Sequence, residues 1–477
     1  MIKESDKSAE IMETYRDSVA TVAKDGKRIW VFPRKPKGQI TNYRNYTSYL
    51  LLAIFFLVPF IRIGGNPLFL FNIIDREFFI FGQPFYLQDF FILGLGAVTS
   101  VIFVMVFTIV YGRIFCGWLC PQTLFMEMVF RKIEYWIEGD RNKQIKLDKQ
   151  EWDSEKITKR VSKWFVFLLI SQLISTFMFI YIVGYEKVWD IMIAGPAKYP
   201  ANFVVMIFFT GIFYFVFAWL REQVCTLICP YGRLQGVLID KHTINVHYDV
   251  KRGENRSKWR NGEDRKATGK GDCIDCKQCV VVCPTGIDIR NGQQLECINC
   301  TACIDACDEV MLKVGLPKGL IRYASEHEIE TQSKFKFTMR MKATAAALVV
   351  LIGLMSYLLN DRGLMEAKFL KYPGSTFIIK NETISNTYTY TIINKSNEDL
   401  KLEFRVLNSK TAKLESYENL PIKLKRNTIK KGDLKVNFPE REIKLSKQNI
   451  EIGVFDTSGK MIASYETIFE GPFKLSL

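Results

Sequence analysis

The feature that most constrains the fold of this 477-residue chain is a set of long apolar segments. Five stretches of about 17 to 23 residues are nearly free of charged side chains, whereas the rest of the chain is rich in Lys, Arg, Asp and Glu. A hydrocarbon layer about 30 Å thick requires a helix of about 20 apolar residues. The sequence therefore predicts an α-helical transmembrane bundle with about five spans, at residues 46–62, 89–111, 163–185, 200–220 and 342–360.

The positive charge is distributed in a way that predicts the orientation of these spans. Residues 1–45 contain ten Lys and Arg and residues 112–163 contain eleven, whereas residues 63–88 contain one. Because Lys and Arg accumulate in cytoplasmic loops, we expect residues 1–45 and 221–341 in the cytoplasm, and the segment after the last span outside. The same distribution accounts for the net charge of +15, so we expect no nucleic-acid partner.

The C-terminal segment, residues 361–477, has a different pattern. Short runs with alternating apolar positions, such as residues 400–404 and 434–438, are separated by turn signals such as Asp456-Thr-Ser-Gly459. Period-two runs at this spacing are typical of strands in a sandwich. The sequence therefore predicts an all-β sandwich of about 110 residues after the last span.

The twelve cysteines lie between Cys116 and Cys307, in groups of two, two, four and four. Such clustering indicates metal ligation rather than disulfides. The last eight repeat the spacing Cys-x2-Cys-x2-Cys-x3-Cys, in which three thiolates of a loop bind one cluster and the fourth binds the other. We therefore predict two [4Fe–4S] clusters, with cluster 1 held by Cys273, Cys276, Cys279 and Cys307, and cluster 2 held by Cys283, Cys297, Cys300 and Cys303.

Zinc is the main alternative for these eight cysteines. Zinc sites commonly use Cys-x2-Cys pairs separated by long intervals, and not three evenly spaced cysteines followed by a fourth. The spacing thus favours clusters, and it predicts a ferredoxin-like α+β domain inserted between the fourth and fifth spans.

The other four cysteines form an internal repeat. Cys116-x3-Cys120-Pro recurs 109 residues later as Cys225-x3-Cys229-Pro, each time after an Arg and at the end of a predicted span. On a helix, two sulfurs four residues apart would lie on one face. Two facing pairs would offer four soft sulfurs that suit Cu⁺ or form a redox disulfide. The alternative is that these thiols only pack the bundle as small apolar side chains.

Several segments together resemble one known family. They include Arg113-Ile-Phe-Cys-Gly-Trp-Leu-Cys-Pro-Gln-Thr123, Tyr248-Asp-Val-Lys-Arg-Gly-Glu254 and Gly319-Leu-Ile-Arg-Tyr323, with shorter matches at 81–90, 137–141, 225–233 and 271–276. Over essentially its whole length the chain resembles the CcoG/FixG/RdxA family of cytochrome oxidase accessory proteins. The resemblance implies a protein of the bacterial cytoplasmic membrane, needed for biogenesis of the copper-containing cbb-type oxidase. It also implies an immunoglobulin-like C-terminal domain and reduction of Cu²⁺ to Cu⁺ before copper insertion.

The residues and the resemblance together lead us to expect a membrane electron-transfer protein that acts as a cupric reductase. Cys116, Cys120, Cys225 and Cys229 are the candidate copper or redox thiols. The expected partners are subunits of a cbb-type oxidase or copper-delivery proteins, an electron donor that the sequence does not identify, and membrane lipid. Two alternatives stay open: a quinol-linked electron conduit to a partner reductase, and a non-catalytic scaffold for oxidase assembly.

The expected domain organisation follows from the same observations. It comprises a cytoplasmic segment at 1–45, four spans within 46–220 with the second Cys-x3-Cys-Pro motif just beyond at 225–230, the cytoplasmic ferredoxin-like domain at 221–341, the fifth span at 342–360, and a periplasmic immunoglobulin-like domain at 361–477.

Overall fold

The computed structural model describes residues 20–472 except 24, 74–76, 87, 88, 266, 364, 373, 375, 381, 397, 410, 417–420, 427 and 444. Residues 1–19 of the predicted cytoplasmic segment and Gln88 of the family-like segment 81–90 therefore lie outside the described residues. The chain forms two compact units. The first contains residues up to Phe60 together with Phe91–Met355, and the second contains Ile61–Phe90 together with the chain from Ser356 onward.

In the described part of the chain, four helices are long and apolar enough to cross a membrane: Phe90–Tyr111, Ser154–Val183, Pro200–Leu220 and Met339–Asn360. They cover four of the five predicted spans. The remaining predicted span, 46–62, falls largely on helix Gln39–Leu57, which is not one of these four helices. Its first half is polar, and its apolar stretch begins only at Leu50 and is interrupted by Pro59. By itself this stretch is short for a bilayer, so the span at 46–62 stays a prediction.

Shorter elements surround these spans in the first unit. The α-helices are Ile114–Trp118, Pro121–Phe125, Arg131–Ile137, Arg141–Lys149, Tyr185–Ala194, Pro230–Leu238, Val250–Gly253, Gln278–Val281, Ala302–Lys313 and Glu326–Thr331. A 3₁₀ turn lies at Ile289–Asn291, and π-helical turns lie at Met126–Phe130, Phe215–Leu220 and Val224–Ile228. Strands Asn245–Tyr248 and Ile321–Ala324 pair antiparallel. These two strands precede and follow the eight-cysteine segment, so their pairing brings its two ends together.

The cysteine-rich insert and the N-terminal segment share one hydrophobic core in this unit. Ile40 packs against buried residues of the insert that include Val246, Tyr248 and Met311. Asp305 accepts hydrogen bonds from the backbone N–H groups of Ile40 (3.2 Å) and Thr41 (2.7 Å) and from the Thr41 hydroxyl (2.6 Å). Gly38, the residue before helix Gln39–Leu57, has no side chain to cap that helix, so the carboxylate of the insert satisfies its first N–H groups.

The second unit combines a small sheet from the segment between the first two helices with a β-sandwich. Phe69–Asn72, Glu77–Ile80 and Gln83–Phe85 form a three-stranded antiparallel sheet, and Arg62–Ile63 pairs with Asn66–Pro67. One sheet of the sandwich has the strand order Lys413–Ser416, Ile429–Pro439, Thr383–Asn394 and Met365–Lys371, with Ile378–Lys380 also paired to Thr383–Asn394. The other has the order Ile422–Leu424, Leu400–Val406, Lys447–Asp456 and Met461–Glu470.

The sandwich core forms because alternate residues of these strands face inward. Tyr388, Tyr390 and Ile392 along one strand are fully buried, and they pack with Leu402 and Ile452 of the opposite sheet. The alternating pattern of residues 400–404 and 434–438 thus corresponds to strands. The predicted fold class, a multi-domain membrane protein with a ferredoxin-like insert and a C-terminal β-sandwich, is confirmed.

A buried ion-pair network holds the small sheet segment to the sandwich within the second unit. Asp89 receives hydrogen bonds from Arg362 (2.7 Å) and Lys395 (2.8 Å), and Lys395 also pairs with Glu366 (3.0 Å). Burial alone would raise the pKa of Asp89, but the hydrogen bond from Lys395 and the charge of Arg362 hold it below its usual range.

Candidate iron–sulfur and thiol sites

Two cavities in the insert are lined by the cysteines that were predicted to bind clusters. The cysteines around cavity 1 are Cys273, Cys276, Cys279 and Cys307. Those around cavity 2 are Cys283, Cys297, Cys300 and Cys303, with Cys279 between the two cavities. The structure therefore brings each predicted ligand set together, and the assignment of ligands to clusters stays a prediction.

The two ligand loops share an unusual backbone conformation. In each loop the residues on both sides of the middle cysteine have positive φ: Asp275 (50°) and Lys277 (57°) around Cys276, and Asn299 (53°) and Thr301 (67°) around Cys300. Side chains disfavour this left-handed region, and such residues concentrate at functional sites. Because both loops contain the same two strained positions, both are shaped to wrap around the same kind of group.

The chemistry of the donors fits an iron–sulfur cluster. Each cavity offers four thiols in otherwise mainly apolar surroundings, and soft thiolates are the usual ligands of such clusters. A zinc ion needs four donors about 2.3 Å from one centre. In the part of the chain that the structure describes, no three His, Cys, Asp or Glu side chains are spaced to hold a single ion.

Burial controls the protonation of these thiols. It raises the pKa of Cys279 and Cys297 to about 12 and that of Cys300 to about 11. The free thiols are therefore protonated at neutral pH, and a metal group must displace these protons when it binds.

The segment with the first Cys-x3-Cys-Pro motif lies directly on the ligand loop of cavity 2. A β-carbon at Gly117 would overlap the carbonyl oxygen of Ile298, so the two backbones touch. Trp118 Nε1 donates a hydrogen bond to the carbonyl of Asn299 (3.2 Å), and Arg113 donates to that of Leu295. Arg44 Nε donates a hydrogen bond to the carbonyl oxygen of Gly117 (2.9 Å). Four contacts thus fix the backbone around Cys116 against cavity 2.

Neither Cys-x3-Cys pair lies on one continuous helix, which corrects the sequence-based expectation. Helix Ile114–Trp118 ends before Cys120, and a new helix begins at Pro121. In the second copy, Cys225 lies in the π-helical turn and Cys229 precedes helix Pro230–Leu238. The reason is proline, which lacks an N–H and is favoured at the first position of a helix. Each proline therefore starts a helix instead of opening an existing one.

Three of the four thiols in these motifs lie in one neighbourhood, in which Cys116 and Cys120 both influence the ionisation of Cys225. Cys116 donates a hydrogen bond to Gln235 Oε1 (3.3 Å). Burial raises the pKa of Cys225 to about 12. We call Cys116, Cys120 and Cys225 the thiol group. In the described part of the chain no three His, Cys, Asp or Glu side chains are spaced to hold a single ion, so the predicted copper or redox site, Cys229 included, stays a prediction.

The thiol group lies close to cavity 2. Cys225 lines a third cavity together with Thr285 and Ile298. Thr285 and Ile298 also line cavity 2. The cavity at Cys225 and the predicted site of cluster 2 therefore have these two residues in common.

Three protein-family models match the chain. A 4Fe-4S dicluster domain matches residues 220–326, a 4Fe-4S binding domain matches 93–144, and an "IG-like fold at C-terminal of FixG, putative oxidoreductase" matches 355–472. Protein RdxA of Cereibacter sphaeroides is 37% identical over 298 residues, which are 61% of this chain and 62% of RdxA. Nitrogen fixation protein FixG of Rhizobium meliloti is 36% identical over 306 residues, 63% of this chain and 58% of FixG.

These matches support the FixG/RdxA family for this chain. With its apolar helices and its two 4Fe-4S domain matches, it is an iron–sulfur membrane protein. The matched part spans between 58% and 63% of these curated relatives. A crystal structure of a FixG-related protein from Vibrio parahaemolyticus matches 24% of this chain over its own full length, at 18% sequence identity. The TM-score of this match is 0.20, which is too low to support an argument.

A buried charge cluster in this chain lies beside the thiol group, and the sequence patterns did not reveal it. Arg221 makes two hydrogen bonds to Glu134 (2.8 and 2.7 Å). Arg131 pairs with Glu127 (2.9 Å) and Glu222 (3.5 Å), and all five side chains are largely buried. Burial would raise the pKa of Glu134, but Arg221 and Lys163 hold it below its usual range. The one available signal was the arginine before each Cys motif, because a buried Arg requires a carboxylate partner.

Proposed function

We propose that this protein is an electron-transfer protein of the bacterial cytoplasmic membrane that reduces Cu²⁺ to Cu⁺ during biogenesis of a cbb-type cytochrome oxidase. The observation that carries the proposal is that Thr285 and Ile298 line both cavity 2 and the cavity at Cys225. A group of thiols suited to Cu⁺ thus lies close to a site suited to a cluster. When bound, a [4Fe–4S] cluster takes up or releases one electron.

The residues of this chain have three roles in the proposal. The eight cysteines of the insert hold the clusters. Cys116, Cys120 and Cys225 supply soft sulfurs to the copper, and such sulfurs favour Cu⁺ over Cu²⁺. Each Cu²⁺ takes up one electron, which comes from a donor that binds elsewhere on the chain. The copper is therefore cytoplasmic or lies at the cytoplasmic end of the spans, and subunits of the oxidase or copper-delivery proteins take the Cu⁺.

The proposed orientation has the N-terminal segment and the insert in the cytoplasm and the sandwich in the periplasm. Three observations support it. The N-terminal segment and the insert share one core, and residues 61–90 belong to the same compact unit as the sandwich. The positive-inside rule assigns the basic segments to the cytoplasm. Fusion of a reporter active only in the periplasm to the C-terminus tests this orientation, which an inactive reporter on a stable fusion contradicts.

Electron paramagnetic resonance of the reduced protein tests the proposed function. The full chain is reduced with dithionite, freed of reductant and measured before and after anaerobic addition of Cu²⁺. We expect cluster signals that disappear on addition, together with formation of Cu⁺. Persistence of the cluster signals in the presence of Cu²⁺ contradicts cupric reduction.

A specific cleft favours a second candidate function, a quinol-linked conduit to a partner reductase. Trp30, Trp152, Trp164 and Trp219 line a cleft with about 1090 Å³ of space between atoms, partly open to the surroundings, near the ends of two spans. Lys156, Arg160 and Lys163 also line it and could donate hydrogen bonds to the oxygens of a quinone ring. Reduction of the protein by a short-chain quinol, with loss of that reduction in Trp219→Ala and no turnover of Cu²⁺, favours this candidate. No reduction by the quinol rejects it.

A further inference from the structure

One of the eight cysteines of the insert is far more accessible than the others. Cys276 is exposed, whereas the other seven are buried or half-buried. It lines cavity 1 and also an open cleft on the surface of the insert. An electron that comes from outside the protein therefore has its shortest route into the insert at Cys276.

The cleft at Cys276 is strongly basic. Arg34, Lys35, Lys37 and Lys313 line it, and Glu309 is its one carboxylate, so the lining has a net charge of +3. Lys277, next to the cysteine, is exposed as well. We call the five cations Arg34, Lys35, Lys37, Lys277 and Lys313 the basic surface.

Most of this positive charge is available to a partner. Lys313 pairs with Glu309 (2.5 Å) on the solvent-exposed side of its helix, an exposed pair of little energetic consequence. In the described part of the chain the side chains of Lys35 and Lys37 form no ion pair. The backbone N–H of Lys35 is bound by Asp140 (3.0 Å), and Arg34 is bound by Gln278 (3.0 Å). The segment that presents these cations is thus fixed while their charges face outward.

The position of the basic surface argues against the membrane as its partner. Lys37 precedes helix Gln39–Leu57, in which the continuous apolar stretch begins at Leu50. Eleven residues of helix between Gln39 and Leu50 span about 16 Å. The lipid headgroups extend only about 5–8 Å beyond the hydrocarbon layer, so with this helix upright the basic surface lies beyond them and faces the aqueous phase.

We propose that the basic surface is the docking site for a small, soluble, acidic electron-donor protein. The proposal rests on the proposed electron-transfer function and deepens it by naming the class of donor. Docking brings the donor's redox group next to Cys276. One electron leaves the reduced donor per transfer, and no bond is formed or broken. A basic ring around one exposed ligand also speeds association with a negatively charged partner.

The test measures binding of reduced flavodoxin, an acidic flavin protein, to the full-length, cluster-loaded protein in detergent. The variant Lys35→Glu/Lys37→Glu reverses two charges of the basic surface. The matched control Lys143→Glu/Lys146→Glu reverses two exposed lysines outside the cleft. At low salt we expect the first variant to weaken binding about tenfold and the control to change it less than about twofold. Wild-type binding should also weaken as salt screens the charges.

The readouts separate this proposal from the proposed function. Both variants should keep the visible absorbance of the clusters and be reduced by dithionite as the wild type is. Only the basic-surface variant should be reduced more slowly by flavodoxin. If flavodoxin binding weakens equally in both variants, or weakens in neither, the docking site is overturned. Loss of binding to phosphatidylglycerol vesicles with unchanged flavodoxin binding overturns it in favour of lipid. Failure of Cu²⁺ to oxidise the reduced protein rejects cupric reduction and leaves the docking result intact.

Discussion

The backbone of Gly117 packs directly on the carbonyl oxygen of Ile298, and a β-carbon at residue 117 would overlap that oxygen. This contact joins the segment of Cys116 to the loop between Cys297 and Cys300. It is also the reason why a thiol group at the ends of two spans lies next to a cavity of the insert. The proposed electron route depends on this contact.

Substitution of Gly117 tests the contact. Gly117→Ala should push the Cys116 segment away from the ligand loop at a cost of about 1–3 kcal/mol, as overpacking of a tight interface does. The melting temperature of the detergent-solubilised protein should fall. Gly94→Ala is the matched control, since a β-carbon at Gly94 meets nothing within 4 Å, and it should be neutral or stabilising. Equal melting temperatures for the wild type and Gly117→Ala contradict the packing.

Asp305 should anchor the N-terminal segment to the insert. Asp305→Ala leaves the buried N–H of Thr41 and its hydroxyl without the acceptor they now share, and an unsatisfied buried donor costs about 1–3 kcal/mol. We expect a lower melting temperature and faster proteolysis before residue 39. Glu309→Gln, on the exposed face of the same helix, should change either quantity little. If the two variants behave alike, the anchor is not made by Asp305.

The shared ligation of the two clusters predicts a specific pattern of iron loss. Cys283 belongs to the first four cysteines of the insert but lines cavity 2. Cys307 belongs to the second four but lines cavity 1. Cys283→Ala should therefore perturb the same cluster as Cys300→Ala, and Cys307→Ala the same cluster as Cys276→Ala. Paramagnetic resonance spectra of the four variants check this. If Cys283→Ala instead perturbs the same cluster signal as Cys276→Ala, the assignment is contradicted.

Asp89 should make the second unit sensitive to acid. Its folded-state pKa lies below the unfolded value, so its contribution is complete above the unfolded pKa of about 4 and is lost as pH falls through the folded pKa. Asp89→Asn should destabilise the protein at pH 6, and the difference in melting temperature from the wild type should narrow towards pH 3. A difference that stays constant with pH contradicts the ionised pair.

The sequence predicted those parts of the site that are local in the chain. Cys273, Cys276 and Cys279 are held by one short loop, so their spacing alone was enough to predict that they surround one cavity. The contact between Gly117 and Ile298 joins residues 181 positions apart, and no periodicity or motif reports such a contact. The same holds for Arg221 and Glu134, whose pairing becomes visible only when the end of one span meets helix Arg131–Ile137.

One sequence-based expectation was wrong for an identifiable reason. Cys116 and Cys120 were predicted to share a helical face, but Pro121 begins a new helix. Proline decides this outcome, because it lacks a hydrogen-bond donor and clashes with the preceding turn. The span at 46–62 stays a prediction, since the helix at this position begins at Gln39 and its apolar stretch is short.

A single-turnover measurement tests the central claim most directly. Fully reduced protein, freed of reductant, is mixed anaerobically with Cu²⁺, and Cu⁺ is counted with a chromogenic chelator. We predict about two Cu⁺ per wild-type chain, one for each cluster. The initial rate should fall at least about tenfold in Cys116→Ala and Cys225→Ala, equivalent to about 1.4 kcal/mol. Their iron content and the rate of the neighbouring control Thr226→Ala should match the wild type. Wild-type rates in both cysteine variants would contradict a thiol site for copper next to the clusters.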